Sequence, residues 1–237
     1  MPDNAKEFIA LYNAIHVVLR RKTNLQVDAD YSSVVSEAKN ARLIDAKQKE
    51  YLLLVGRLRN AIVHDESYPN EIIAEPHPQT IEKLRQLKAM IENPPTVDCL
   101  LKNKPEIFKS SHRLLDCLQY MHDNDYSQVV VSTGSEHTLI TREDIACWFE
   151  MQIDKNEILI SLEDKTLEEI LSVENKDDCK FLQKKAKLAD LLVMFETRGR
   201  EKLAAVLITE HGRPTETPIN IFTHYDLPEI IGKLEPV

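Results

Sequence analysis

The pair Pro94-Pro95 separates two parts of the sequence that differ in pattern, and this division most restricts how the chain folds. Before it, Gly56 is the only glycine in residues 1–98, and apolar residues recur at the three- and four-residue spacing of amphipathic helices. After it, short β-compatible runs at 129–131, 139–141, 191–195, 203–209 and 220–223 alternate with helical segments. The sequence therefore predicts an α+β fold class, with an all-α helical bundle over residues 1–95 and an α/β domain over residues 96–237.

Four amphipathic helices are predicted in the first part. Apolar residues from Phe8 to Leu19 mark the first, and Val34, Val35 and Ala38 mark the second. The third and fourth are predicted over residues 45–63 and 81–91, separated by proline-containing breaks at 67–70 and 76–78. Four helices of this length are typical of a small bundle.

Composition excludes several classes of protein. Apolar residues make up 43% of the chain, which is too many for a disordered protein. The longest apolar run, residues 203–208, has six members, whereas a membrane-spanning helix needs about 20. The four cysteines form no C-x-x-C pair, and the N-terminal residues do not have the pattern of a secretory signal. We therefore expect a cytoplasmic protein with no membrane partner.

Charge argues against a broad nucleic-acid-binding surface. The net charge is −9, and residues 1–98 are nearly balanced, with 13 Lys and Arg against 14 Asp and Glu. Nucleic-acid-binding domains are usually basic, so any RNA contact must come from local positive residues. The histidines show no metal-ligand spacing, and we expect no metal requirement.

Arg59, Asn60 and His64, near the end of the third predicted helix, combine the groups that cleave a phosphodiester. A neutral imidazole can take the proton of a ribose 2′-hydroxyl, and a guanidinium stabilises the charge that builds on the phosphate. Asn60 stands four residues before His64, so the two project from neighbouring points on a helix. Arg59 lies about 140° around the helix from His64. A helix distortion or a two-fold dimer is needed to bring them together, and Arg57 is a rival partner.

This stretch resembles the Arg-x(4–6)-His signature of the HEPN superfamily, with the polar residue that often follows the arginine. The helical pattern over about residues 5–92 and the proline-flanked segment 72–78 also resemble that family. The resemblance implies metal-independent endoribonuclease activity, with Arg59, Asn60 and His64 as catalytic residues at the interface of a homodimer. HEPN domains also occur as inactive scaffolds, which leaves that alternative open.

Two Thr-x-x-Asp tetrads stand 82 residues apart, each after an apolar strand and before a helix: Thr141 to Asp144, and Thr223 to Asp226. A carboxylate can accept hydrogen bonds from both hydroxyls of a ribose, while a threonine hydroxyl and helix N-terminal N–H groups suit a phosphate. A single tetrad of this kind is typical of an ordinary helix N-cap. Its repetition at matched positions predicts two α/β repeats that each carry a ligand site.

Residues 96–237 resemble a tandem pair of CBS domains, a Bateman module, with units of about 96–152 and 153–237. The resemblance rests on segments 118–131 and 139–145 in the first unit and 166–171, 211–214 and 221–227 in the second. CBS pairs commonly bind adenine nucleotides (AMP, ADP or ATP) or adenosyl compounds, which implies that Thr141, Asp144, Thr223 and Asp226 hold the ribose and phosphate.

Two details of the second part bear on those ligand sites. A glycine that often stands near the end of the last strand is replaced in both units, within 136–138 and 218–220, and a bulkier residue there narrows the cleft. An anionic ligand also needs local cations, for which the candidates are Arg142, Arg198, Arg200, Arg213 and His224.

Together these features predict a homodimeric endoribonuclease whose RNA cleavage is regulated by adenine-nucleotide or adenosyl-compound binding. The alternative is a non-catalytic nucleotide-sensing protein whose helical domain is a dimerisation or partner-binding scaffold. The acidic balance slightly favours the alternative, because RNA binding usually depends on positive charge.

Overall fold

A computed structural model of the chain describes residues 3–63, 75–102, 104–154, 157–158, 161–172, 179–196 and 203–235. The chain divides into a helical unit, Met1–Pro95 with Lys233–Val237, and an α/β unit, Thr96–Gly232. All of the described strands lie in the second unit. The predicted α+β class is confirmed.

The helical unit contains four long helices, which are α1 (Asp3–Thr23), α2 (Tyr31–Asn40), α3 (Ala46–Val63) and α4 (Pro78–Glu92). Asp30 caps α2 by accepting a hydrogen bond from Ser33 N at 3.0 Å. Asp45 and Gln48 form a reciprocal capping pair at the start of α3. Helix α4 begins at Pro78, three residues earlier than predicted, because His77 caps it and proline is favourable at the first helical position.

One apolar core joins these four helices. Each contributes side chains that are almost completely buried, among them Phe8, Ile15, Leu19, Val34, Leu52, Leu84 and Leu87. Their spacing of three, four and seven residues places them on one face of each helix, as the sequence pattern predicted. The breaks predicted at 67–70 lie outside the described residues.

The α/β unit contains two repeats with the same order of elements. The first is β1 (Ile107–Lys109), α5 (Leu114–Asp123), β2 (Gln128–Ser132), β3 (His137–Thr141) and α6 (Arg142–Met151). A hairpin of β4 (Ile153–Asp154) and β5 (Glu157–Ile158), then helix α7 (Leu167–Leu171), follow. The second repeat is β6 (Cys179–Gln183), α8 (Leu188–Phe195), β7 (Ala205–Thr209), β8 (Asn220–Phe222) and α9 (Leu227–Leu234).

Strand pairing is the same in both repeats. The first strand is parallel to the second, and the second is antiparallel to the third, giving sheets of order β1-β2-β3 and β6-β7-β8. In each repeat a helix crosses between the two parallel strands, as a parallel pair requires. The internal repeat expected from the two tetrads is therefore present in the backbone.

Each sheet has two buried faces. Val129, Val131 and Ile140 pack with α5 and α6, whereas Val130 and Leu139 on the opposite face join a cluster with Ala205 and Leu207 of the second sheet. This explains why residues 129–131 of β2 and residues 205–208 of β7 are apolar without alternation. No described helix is long and apolar enough to cross a membrane.

One predicted strand is wrong. The apolar run Leu191–Phe195 is β-compatible by composition, but it forms the second half of helix α8. A short apolar run fits a buried helix as well as a strand, so the pattern alone does not decide between them. The parallel pairing of β6 with β7 decides it, because the connection between them has to be a crossover.

The segment that precedes each repeat in the sequence pairs with the other repeat. We call residues 96–102 and 166–172 the first and second leaders. Thr96 bridges to Lys187 in the second repeat, and Thr166 bridges to Arg113 in the first. The backbone bonds match as well: Val97 N donates to Ala186 O, and Leu167 N donates to His112 O. Each leader therefore lies against the other repeat.

Candidate functional site

The first tetrad forms a closed capping box between β3 and α6. Asp144 Oδ2 accepts hydrogen bonds from Thr141 N at 2.7 Å and from Thr141 Oγ1 at 2.6 Å. Thr141 Oγ1 in turn accepts from Asp144 N at 3.1 Å. Asp144 is only 5% exposed. The structure therefore brings the two predicted residues together. Their hydrogen bonds to each other form the N-cap of α6, and little of the Asp144 carboxylate is accessible to a ligand.

The second tetrad is capped in the same way but is more open. Asp226 Oδ2 accepts from Thr223 N at 2.8 Å and from Thr223 Oγ1 at 3.2 Å. The Asp226 side chain keeps 20% of its surface exposed, and its other oxygen, Oδ1, lies 3.4 Å from Lys102 Nζ. One carboxylate oxygen therefore serves the cap while the other faces a cation at the surface.

Lys102 comes from the first leader, which explains why it reaches the second box. Its ammonium lies 2.7 Å from Glu229 Oε2 on α9, in addition to its contact with Asp226. The hydrogen bond with Glu229, and then that with Asp226, raise the pKa of Lys102. Lys102 cannot be found from the sequence alone, because nothing in the order of residues shows that a leader lies against the other repeat.

The structure describes three of the five cationic residues that the sequence analysis proposed as ligand contacts. Arg142 lies 3.6 Å from Asp125, beside the first box, and the ring of His224 packs edge-on against Phe195. Arg213 is held in the β7–β8 loop by its backbone N–H, which donates to Thr209 Oγ1 at 3.0 Å. Arg198 and Arg200 lie outside the described residues. Over the described part of the chain, the structure places Lys102 against the tetrad aspartate Asp226.

Two further features of the second repeat lie near its box in sequence. Tyr225, inside the tetrad, is 91% exposed and offers a free aromatic face. Asn220, at the start of β8, is 3% exposed, yet its Nδ2 has no hydrogen-bond partner among the residues that the structure describes. A buried donor without a partner costs stability, and such groups are rare in folded proteins. From the sequence, segment 218–220 is notable only because it lacks the glycine that often stands there in CBS domains.

In the helical unit, the structure brings together two of the three predicted catalytic residues. Arg59 Nη1 donates to Asn60 Oδ1 at 3.3 Å, and the Arg59 guanidinium carbon lies 5.9 Å from the centre of the Tyr12 ring. Burial raises the pKa of Tyr12, while the charge of Arg59 acts in the opposite direction. His64 lies outside the described residues. Arg57, the rival partner, is exposed on α3.

A metal site would need several convergent ligands. Over the described residues, no group of three or more His, Cys, Asp or Glu side chains is arranged to hold a metal ion.

The chain was compared with protein-family models, with curated proteins and with solved structures, and matches were found among the solved structures. No family model and no curated protein matches the sequence. Solved CBS-domain pairs align with the C-terminal part of the chain. A CBS domain-containing protein from Bacillus anthracis is 17% identical with a TM-score of 0.44, and covers 59% of this chain and 94% of its own.

Two further matches were solved with ligands. The CBS domain pair of protein MJ0100, in complex with 5′-methylthioadenosine and S-adenosyl-L-methionine, is 13% identical with a TM-score of 0.42, covering 59% of this chain and 98% of its own. CBSX2 in complex with AMP is 14% identical with a TM-score of 0.40, covering 59% of this chain and 98% of its own.

Proposed function

We propose that the α/β unit binds an adenine nucleotide or an adenosyl compound and that this binding regulates the helical unit. The observation that carries the proposal is the duplicated strand-to-helix joint, where an aspartate and a threonine stand at the same position in both repeats. A carboxylate there is oriented by its own backbone bonds, so it presents acceptor lone pairs in a fixed direction to a vicinal diol.

The second box is the better ligand site of the two. Asp226 is more open than Asp144, and its Oδ1 faces outward to a lysine that can move. The exposed ring of Tyr225 adds a surface on which an adenine can stack, an interaction worth about 1–3 kcal/mol per base. Ligand occupancy of the first box requires Asp144 to become more accessible than it is here.

A thermal-shift screen tests ligand binding. AMP, ADP, ATP, 5′-methylthioadenosine and S-adenosylmethionine are each titrated into the wild-type chain and into Asp226→Asn. A ligand present at about 100 times its Kd stabilises the folded state by about 2.7 kcal/mol, so a clear rise in Tm is expected for the wild type and a smaller one for the variant. If none of the five compounds shifts Tm at millimolar concentration, the proposal is wrong.

For the helical unit we propose metal-independent RNA cleavage by Arg59, Asn60 and His64, in a homodimer. The supporting observation is that Arg59 is held on two sides, by the Asn60 amide and by the Tyr12 ring, at the end of α3. A fixed guanidinium can stabilise a phosphorane charge without reorganisation in the transition state. His64 is assigned here as general base or acid on the sequence alone.

An RNase assay in excess chelator separates this proposal from the scaffold alternative. The wild-type chain is compared with His64→Ala and Arg59→Ala, and Arg57→Ala serves as the matched control on the same helix. We expect cleavage by the wild type and by Arg57→Ala, with a loss of about 100-fold or more in the other two. Absence of cleavage by the pure wild-type dimer, with and without an adenosyl ligand, would support the scaffold instead.

Sedimentation tests the homodimer. Because two residues five positions apart point in different directions on a straight helix, we expect a second chain to complete the site. A monomer alone at micromolar concentration, with and without nucleotide, would contradict this part of the proposal.

A further inference from the structure

We propose that Lys102 and Glu229 make the second box select adenosyl compounds without phosphate groups over adenosine phosphates. This inference rests on the proposed function, since it names the ligand class of the same site. It goes beyond that function because the tetrads alone are equally compatible with AMP, ATP and phosphate-free adenosyl compounds. The selecting residues lie on the first leader and on α9, outside both tetrads.

The charges that the structure describes around Asp226 do not favour an anion. Among the described residues, the carboxylates of Asp226 and Glu229 face one ammonium, that of Lys102. The lysine lies closer to Glu229, at 2.7 Å, than to Asp226, at 3.4 Å. Its charge is therefore already balanced by Glu229 before any ligand arrives, and the three groups together carry one negative charge.

Ligand binding changes this arrangement in a predictable way. When a ribose diol donates its hydroxyls to Asp226 Oδ1, Lys102 can leave that oxygen and remain paired with Glu229. The 5′ substituent then lies within one ribose length of both charges, which is inside the screening distance of about 8 Å at physiological ionic strength. A thioether or sulfonium there meets no repulsion, whereas a phosphate is repelled by Glu229 and has to compete with it for Lys102.

Two substitutions should therefore change ligand choice in opposite directions. Glu229→Gln frees the Lys102 ammonium and removes the repelling carboxylate, so we expect it to strengthen AMP binding about tenfold and leave 5′-methylthioadenosine nearly unchanged. Lys102→Met leaves two unbalanced carboxylates, so we expect it to weaken AMP binding further and to strengthen S-adenosylmethionine binding, because that ligand carries a sulfonium.

Glu210→Gln is the matched control. Glu210 is also paired with a lysine, Lys184, at 2.6 Å, and its side chain is 50% exposed against 48% for Glu229. It lies beyond the end of β7 rather than in the box. A general effect of removing one negative charge from this acidic chain would appear in both glutamine variants, whereas a local effect appears only in Glu229→Gln.

The experiment is isothermal titration calorimetry of the full chain with AMP and with 5′-methylthioadenosine, at low and at physiological salt. We expect 5′-methylthioadenosine to bind the wild type about tenfold more tightly than AMP, with the difference shrinking as salt rises and largely lost in Glu229→Gln. Tighter binding of AMP to the wild type, or equal shifts in Glu229→Gln and Glu210→Gln, would overturn the selectivity while leaving the proposed ligand site intact. Binding of neither compound would overturn both.

Discussion

The guanidinium carbon of Arg59 lies 5.9 Å from the centre of the Tyr12 ring, so the first long helix supports the residue assigned to stabilise the phosphate. Tyr12 is 8% exposed and packs in turn on Tyr31, with ring centres 4.4 Å apart. A cation held over an aromatic face gains about 0.5–2 kcal/mol, depending on how far it is desolvated. The ring therefore limits where the Arg59 side chain can go.

Tyr12→Phe and Tyr12→Leu separate the ring from the hydroxyl. Phe keeps the aromatic face, so we expect RNA cleavage within about twofold of the wild type, whereas Leu removes the face and should lower cleavage about tenfold, roughly 1.4 kcal/mol. The assay is run well below the Tm of each variant, with circular dichroism to confirm folding. Equal activity of the two variants would show that Tyr12 does not position Arg59.

Asn220→Thr should stabilise the chain. The substitution replaces an amide NH2 group that has no partner among the described residues with a single hydroxyl that can rotate towards an acceptor, and threonine is the residue at the matched position of the first repeat, Thr138. Relief of an unsatisfied buried group is worth about 1 kcal/mol or more, which a urea unfolding curve resolves. The exposed Asn40→Thr is the control and should change little. Destabilisation by Asn220→Thr would show that the amide makes a bond in solution that offsets its burial.

Gly212→Ala should destabilise the chain more than Gly134→Ala. Both glycines have positive φ, +77° and +95°, in the loop between the second and third strands of their repeats. A Cβ on Gly212 would also lie 3.0 Å from Gln183 N, whereas one on Gly134 would meet nothing within 4 Å. We expect about 1 kcal/mol from the backbone strain alone and about 2–3 kcal/mol when the clash is added. Equal losses in Tm would contradict the close approach at Gly212.

Glu216 should contribute stability that disappears in acid. The His211 backbone N–H and ring Nδ1 both lie 2.7 Å from its carboxylate oxygens, and these contacts lower the pKa of Glu216 from 4.5 to about 2. Because the folded pKa lies below the unfolded one, the stabilisation is complete above pH 4.5 and is lost as the pH falls towards 2.

The check is urea unfolding of the wild type and Glu216→Gln across that range. The difference in free energy of unfolding between them should be constant at neutral pH and shrink below about pH 4.5. A difference that stays the same at every pH would mean that the carboxylate charge contributes nothing.

The helical unit could be predicted from the sequence in more detail than the α/β unit. Its amphipathic patterns predicted the helices to within five residues at either end, because each helix buries one face in a common core. In the second unit, the strand pattern of β2, β3, β7 and β8 was readable, but β1 is three residues long and β6 mixes polar and apolar residues. Each of these two strands is defined by pairing with a parallel strand more than 15 residues further along the chain. The local sequence pattern carries no information about that pairing.

In the candidate site, too, residues close in sequence could be predicted and distant contacts could not. The tetrads were found because their residues are close in sequence and the motif is duplicated. Lys102 was not, because it reaches Asp226 over 124 residues through the exchange of leaders. The spacing of the tetrads does not distinguish Asp144 from Asp226, whereas their burial does.

The central claim is that Asp226 binds a ligand diol and does not merely cap a helix, and Asp226→Asn tests it most directly. Asparagine keeps a side-chain oxygen that can accept the bonds from Thr223 N and Thr223 Oγ1, so the Tm of the ligand-free variant should be nearly unchanged. It lacks the charge-assisted bonds to a diol, so calorimetric titration with 5′-methylthioadenosine should show binding weaker by about tenfold or more, roughly 1.4 kcal/mol. Equal affinity of the wild type and the variant would reduce Asp226 to a helix cap and contradict the account.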